Sequence, residues 1–159
     1  MEQIIIRKAL LSDLEQLLIF EQNVIEAERP FDSTLKRKDT LYYDLPHLLT
    51  APNVFVALAE LGNEIIGSGY ARIEKSKEYN QHSQHGYLGF MFVSPEHRGR
   101  GVNKLIIDHL KEWVASQNVS ELRLEVYYDN LSAIKAYEKI GFTKLMILMR
   151  SGVDKTPDH

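Results

Sequence analysis

The 159-residue sequence contains no cysteine, and this absence removes several kinds of chemistry at once. Disulfide bonds, thiolate metal sites and a covalent cysteine acyl-enzyme are all excluded. No apolar run reaches the ~18 residues that a membrane span requires, and the first residues carry no signal-peptide pattern. We therefore expect a cytoplasmic protein that neither crosses nor binds a membrane.

A strong excess of charge of one sign is also missing. Nineteen Lys and Arg residues face 22 Asp and Glu residues, so the formal net charge is −3. This balance argues against general attraction to nucleic acid, and any recognition of phosphate must be local. The apolar fraction of 44% is that of an ordinary globular protein. We predict one domain over residues 1–150, followed by a polar tail at residues 151–159.

Apolar periodicity predicts an alternation of strands and helices along the chain. Strands are predicted at residues 3–9, 53–61, 64–73, 85–93, 120–128 and 142–150. Helices are predicted after residue 12, at residues 38–49, after residue 101, and at residues 131–140. Gly62-Asn63 is a hairpin signal between the second and third strands. The order fits an α/β or α+β protein with a single sheet.

The most informative segment is a short glycine loop at residues 98–101, between an apolar run and an amphipathic helix. A strand that feeds a helix through glycine exposes backbone N–H groups at the positive end of the helix dipole. Three cationic side chains lie in or beside the loop: Arg98, Arg100 and Lys104. The segment therefore predicts a site for a multiply charged anion. A basic, solvated turn without a ligand is the alternative interpretation.

Two common phosphate-binding loops do not fit this segment. A Walker loop needs a lysine followed by Ser or Thr, and a dinucleotide fingerprint needs a third glycine where Lys104 stands. The segment instead resembles motif A of the GNAT superfamily of N-acetyltransferases, and it reads Arg98-x-x-Gly101-x-Asn103. Asn103 departs from the small residue of that pattern, although its side chain could donate to a diphosphate.

A second segment resembles another signature of the same family and comes in the expected order. It reads Asn130-x-x-Ala133-x-x-x-Tyr137-x-x-x-Gly141-Phe142. The resemblance covers about residues 4–150 and implies one mixed, mostly antiparallel sheet of six to seven strands flanked by about four helices. It also implies acetyl-CoA as the cosubstrate and no metal. His82-x-x-His85 lacks a matched acidic cluster and does not favour a metal site.

The resemblance implies where acetyl-CoA would bind. The pantetheine arm would pair with the end of the strand before the loop, and the diphosphate would lie over the loop. The implied contacts are Met91, Phe92, Val93, Arg98, Gly99, Arg100, Gly101, Val102, Asn103, Lys104, Asn130 and Ala133. Asn130 has an alternative role as the N-cap of the following helix.

The resemblance also implies the two residues that move protons. Tyr137 matches the family position whose phenol protonates the leaving thiolate, and the alternative is a packing role beside Phe142. Gly89 stands where many members carry a glutamate base. Glu125 resembles the base of bacterial ribosomal-protein N-terminal acetyltransferases, and it would act directly or through water. An ion pair with a neighbouring strand is the alternative for Glu125.

Recognition of the acceptor is expected from the least regular segment, residues 26–44. Glu28 could attract an ammonium, Arg29 a carboxylate, and the rings of Phe31, Tyr42 and Tyr43 could wall a small pocket. Solvated charges explain the same residues without a ligand. The sequence thus predicts an acetyl-CoA-dependent N-acetyltransferase that moves the acetyl group directly to a primary amine of a small molecule or peptide. A catalytically silent acyl-CoA-binding module is the alternative, and a homodimer stays open.

Overall fold

The structure is a computed structural model and describes residues 2–154 of the chain. Its contacts divide the chain into two compact units, one ending at Glu125 and the other beginning at Val126. The second half of the predicted tail, residues 155–159, lies outside the described residues. Residues 151–154 form neither helix nor strand.

The first unit contains one sheet whose strands follow one another in chain order. The strands are β1 (Ile4–Lys8), β2 (Val54–Leu61), β3 (Glu64–Lys75), β4 (Gln84–Val93) and β5 (Leu122–Leu124). Neighbours pair antiparallel from β1 to β4, whereas β5 pairs parallel with β4. The mixed, mostly antiparallel sheet is as predicted, and the hairpin at Gly62 has the expected left-handed glycine, with φ 61°.

The prediction of six to seven strands is not confirmed, because the described residues contain five. The predicted strand at 120–128 is reduced to Leu122–Leu124, and residues 142–150 are not in a strand. A strand forms only where a neighbouring segment supplies a ladder of hydrogen bonds. Apolar composition does not tell which segment will be that neighbour. The consecutive apolar residues at 145–149 also lack the alternation that would define one buried face.

Four α-helices occur in the part of the chain that the structure describes: α1 (Leu14–Glu28), α2 (Leu45–Thr50), α3 (Val102–Ser116) and α4 (Leu131–Ile140). The helix predicted at 38–49 is wrong at its start, since α2 begins only at Leu45. Asp44 caps it by accepting the N–H of His47 at 3.3 Å. Asp44 and Pro46 together are a helix-start signal that fixes this boundary.

Helices cover both faces of the sheet in the first unit. On one face, Leu17 of α1 and Leu45 of α2 join a core cluster with Val56 of β2. On the other face, Gly67 and Gly69 of β3 lie directly against α3, because a Cβ at either position would meet Ile106 within 3.2 Å. Burial on both faces explains why Val54 to Ala59 of β2 are consecutive apolar residues.

β3 and β4 do not pair regularly along their whole length. Ser68 lies opposite Phe92, but Tyr70 lies opposite Gly89, so the pairing skips two residues of β4. Phe90 lies in this β-bulge with φ 56°, a conformation that few non-glycine residues adopt. The hydroxyl of Ser68 donates to the carbonyl of Phe90 at 3.0 Å and fixes the bulge. The bulge redirects the last residues of β4 just before the glycine loop.

Candidate active site

The glycine loop has the backbone geometry of an anion site. Gly99 and Gly101 have φ of 78° and 79°, and a Cβ built on either would meet no atom within 4 Å. Gly101 is the N-cap of α3 and has no side chain to cap it. Over residues 2–154, no backbone carbonyl accepts the N–H groups of residues 99–104. These donors lie at the positive end of the α3 dipole, which suits an anion.

The cationic side chains of this region are less available than the sequence suggests. Arg98 donates from Nε to the carbonyl of Val93 at 3.0 Å, which ties the loop to the end of β4. Lys104 pairs with Asp108, with 2.6 Å between Nζ and the carboxylate. Arg100 is exposed and takes part in none of the ion pairs found among the described residues. Backbone N–H groups therefore provide more of this site than side-chain charge does.

The end of β4 offers an unpaired edge next to the loop. β5 pairs with β4 only at Gly86, Tyr87 and Leu88, so β4 continues through residues 89–93 beyond this pairing. Met91 and Val93 are half-buried, and Phe92 between them is buried. An extended ligand could add to such an edge as a strand does. This arrangement accords with the predicted role of Met91 to Val93.

A cluster of tyrosines lies beside the bulge. The ring of Tyr70 is 5.9 Å from that of Tyr43 and 6.5 Å from that of Tyr87. Burial raises the pKa of all three phenols, and the nearby Glu125 carboxylate raises those of Tyr70 and Tyr87 further. These phenols are protonated at neutral pH, so they act as hydrogen-bond donors and not as bases.

Tyr70 also accounts for the missing side chain at position 89. A Cβ on Gly89 would lie 2.5 Å from the Tyr70 hydroxyl oxygen, so the phenol fills the space above this glycine. Glu125 follows β5 directly and is exposed, and its charge acts on the pKa of Tyr70 and Tyr87. The structure therefore places the predicted base beside the tyrosine cluster.

A second cluster lies where residues 40–43 run along the C-terminal half of α1. We call this region, residues 21–28 together with residues 40–43, the α1 seam. Tyr42 and Tyr43 both donate their backbone N–H to the Glu21 carboxylate at 2.8 Å. Burial raises the pKa of Glu28, and the nearby Tyr42 side chain opposes this rise. Glu28 and Tyr42, both predicted to contact the acceptor, thus come together.

The other two predicted acceptor contacts have local partners. Arg29 donates from Nε to Glu26 at 2.7 Å and from Nη1 to the Lys36 carbonyl at 2.7 Å. Its guanidinium ties the loop that follows α1 to the end of that helix, and its role as a carboxylate receptor stays a prediction. Phe31 ends the short 3₁₀ turn Arg29–Phe31 and is half-buried.

The second unit contains the residues of the other signature. Asn130 caps α4 by accepting the N–H of Ala133 at 3.3 Å, so its alternative role as an N-cap is real. At the other end, Gly141 has φ 109°, and the N–H of Phe142 donates to the carbonyl of Tyr137 at 3.1 Å. The ring of Phe142 contacts that of Tyr137 edge-on at 5.8 Å. This Schellman stop holds the Tyr137 ring in a defined orientation.

Sequence reasoning named Tyr43 as a wall of the acceptor pocket but missed Glu21, Tyr70 and Tyr87. Glu21 carried a signal, because it lies on the apolar face of α1 among buried residues such as Leu17 and Val24. The tyrosines resemble ordinary core residues in sequence. Over the described residues, no group of three or more His, Cys, Asp or Glu side chains is arranged to hold a metal ion. No helix among them is long and apolar enough to cross a membrane.

The family model for the acetyltransferase (GNAT) family matches residues 14–142, which include the sheet, the glycine loop and α4. The chain belongs to the GNAT family. Within the family, the uncharacterized N-acetyltransferase YobR of Bacillus subtilis is 36% identical over 61 residues. The streptothricin acetyltransferase of Escherichia coli is 32% identical over 85 residues, which is 54% of this chain. These matches span only 25% and 45% of the two relatives.

Other relatives match over most of their length. The N-alpha-acetyltransferase of Sulfurisphaera tokodaii is 25% identical over 148 residues, covering 90% of this chain and 82% of the relative. Among solved structures, a Bacillus halodurans protein has a TM-score of 0.84 at 19% identity, covering 94% of this chain and 99% of that one. The aminoglycoside N-acetyltransferase AAC(6')-Iy in complex with CoA has a TM-score of 0.73 at 21% identity, covering 95% and 96%. These likenesses show that the GNAT fold is shared.

Proposed function

We propose that the protein is an N-acetyltransferase that uses acetyl-CoA and transfers the acetyl group directly to a primary amine of a small molecule or peptide. The observation that carries the proposal is the glycine loop at the start of α3. Two left-handed glycines, open space above them and N–H groups without acceptors form a cradle for phosphate oxygens. Membership of the GNAT family supports the choice of acetyl-CoA as the ligand.

The proposal gives the loop and the end of β4 the task of holding acetyl-CoA. Backbone N–H groups from Gly99 to Lys104 would bind the diphosphate, with Arg100 adding charge. The edge of β4 at Met91 to Val93 would pair with the pantetheine arm and aim a donor at the thioester carbonyl. Acetyl-CoA supplies the activated acetyl group as a thioester. Asn130 and Ala133 would contact the same ligand from α4.

The proton transfers are assigned to Glu125 and Tyr137. Glu125 would accept a proton from the acceptor ammonium, directly or through water, so that the nitrogen lone pair can attack the carbonyl carbon. A C–N bond then forms and the C–S bond breaks. Tyr137 would donate its phenolic proton to the departing sulfur. The relatives that acetylate streptothricin, aminoglycosides or protein N-termini support an amine acceptor in general.

The decisive experiment measures thiol release from acetyl-CoA in the presence of amines, amino acids and N-terminal peptides. The protein has no cysteine, so it contributes no background thiol to the assay. Amine-dependent release with intersecting double-reciprocal plots supports direct transfer, since parallel plots would require a covalent acyl-enzyme. Tight binding of acetyl-CoA without release for any amine would instead support the silent binding module.

A further inference from the structure

The α1 seam holds a buried carboxyl group that takes part in none of the ion pairs formed within residues 2–154. Glu21 is fully buried, at 0% exposure, and one of its oxygens accepts the two backbone N–H groups of Tyr42 and Tyr43. The other oxygen, Oε1, has no hydrogen-bond partner. A buried carboxylate is costly unless it is paired, so the seam favours a positive charge nearby.

Glu28 adds a second carboxylate to the same face of α1, because positions i and i+7 lie two helical turns apart. It is the last residue of α1, where the helix dipole is negative and disfavours an anion. The cation next to it is engaged elsewhere, since Arg29 pairs with Glu26. None of the ion pairs formed within residues 2–154 includes Glu28.

Aromatic rings complete the surroundings of Glu28. The Tyr42 side chain lies close enough to Glu28 to lower the pKa of its carboxyl, and the charge of Glu28 contributes to the raised pKa of Tyr43. The rings of Tyr42 and Tyr43 meet edge-on at 5.8 Å. Tyrosine rings attract a cation through their faces, and a carboxylate beside them strengthens that attraction. The hydrogen bonds to Glu21 hold the backbone that carries both rings.

We propose that Glu28, Tyr42 and Tyr43 bind a second ammonium group of the acceptor, distinct from the one that is acetylated. The acceptor is therefore a dication, such as a linear diamine. This inference rests on the proposed function. The tyrosine cluster links the two ends of such a molecule, since the Tyr70 ring lies between those of Tyr43 and Tyr87. Glu28 acts at the Tyr43 end and Glu125 at the Tyr87 end.

The test compares α,ω-diaminoalkanes with n-alkylamines of the same chain length in the thiol-release assay. We expect kcat/KM to be about tenfold or more higher for the best diamine, the scale of one charge-assisted hydrogen bond. Glu28→Gln should bring the diamine-to-monoamine ratio close to one, mainly through KM. Glu15→Gln removes an exposed charge from the other end of α1 and serves as the matched control, with the ratio of the wild type.

Three outcomes separate this inference from the proposed function. Equal kcat/KM for diamine and monoamine, or a diamine preference that survives Glu28→Gln, overturns the dication site while leaving acetyl transfer intact. If none of the tested amines supports thiol release, the proposed function is overturned. In that case, thermal shift with the same diamine and monoamine still decides the inference: a larger stabilisation by the diamine that Glu28→Gln abolishes supports it, and equal shifts overturn it.

Discussion

The glycine loop and the α1 seam suit ligands of opposite charge. The loop suits an anion through backbone N–H groups, and the seam suits a cation through carboxyl groups and aromatic rings. The loop is exposed, draws on consecutive residues, and presents backbone N–H groups that no acceptor within residues 2–154 satisfies. In the seam, Glu21 is buried, and Glu28, Tyr42 and Tyr43 are half-buried. The seam joins residues about twenty positions apart, and its two carboxyl groups Glu21 and Glu28 form no ion pair within residues 2–154. A local, backbone-built site leaves a motif in the sequence, whereas a site assembled from distant side chains does not. The comparison predicts that damage to each region affects a different ligand.

The largest expected effect comes from breaking the loop with Gly101→Val. A β-branched side chain at φ 79° is strained, and it would occupy the open space that the diphosphate needs. We expect affinity for CoA to fall about 100-fold, measured by titration calorimetry. Gly152→Val is the control, because Gly152 also has open space around it but no left-handed φ. Unchanged affinity in Gly101→Val would disprove the loop assignment.

Breaking the seam with Glu21→Ala should have the next largest effect. The change leaves the N–H groups of Tyr42 and Tyr43 without their acceptor. Two such losses should lower the free energy of unfolding by about 2 kcal/mol, measured by urea denaturation. Gln22→Ala, which removes one exposed bond to the Thr40 carbonyl, should cost much less. If the seam and the loop are separate, the CoA affinity of folded Glu21→Ala stays at the wild-type value.

Asn103→Ala tests whether a side chain contributes to anion binding at the glycine loop. Asn103 is half-buried in the first turn of α3, beside N–H groups that have no acceptor. If its side chain donates to the diphosphate, its loss should weaken CoA binding by about 1 kcal/mol. Tighter binding would mean that Asn103 only crowds the site. Calorimetry on the two proteins distinguishes these results by sign.

The smallest expected effect concerns the charge of Glu28. Burial raises its pKa above the ordinary value of 4.5, so folding penalises the carboxylate and favours the protonated acid. The cost to stability is absent at low pH and appears as the pH rises from 4.5 through the pKa of the folded protein. Glu28→Gln should therefore stabilise the free protein by less than ~1 kcal/mol at pH 7, since Glu28 is partly solvated. Thermal unfolding of the two proteins should converge near pH 4.

The contrast between the two regions also explains how much of the fold and of the candidate site could be predicted from the sequence. The start of α3 at Gly101 and both ends of α4, at Asn130 and Gly141, follow from local capping chemistry, and the structure bears them out. The predicted helix at 38–49 failed because the backbone of Tyr42 and Tyr43 is held by a carboxylate twenty residues away. The roles of Glu125 and Tyr137 remain predictions.

Gly89 and Tyr70 have a consequence for how this protein can change over generations. The phenol occupies the volume that any side chain at position 89 would need, with 2.5 Å between the ring and a Cβ there. A new residue at position 89 is therefore disruptive until Tyr70 has been shortened, and a shortened Tyr70 leaves a cavity until position 89 has been filled. Neither single step is neutral. The effect of a substitution at either position therefore depends on the residue at the other, and related sequences should change the two positions together.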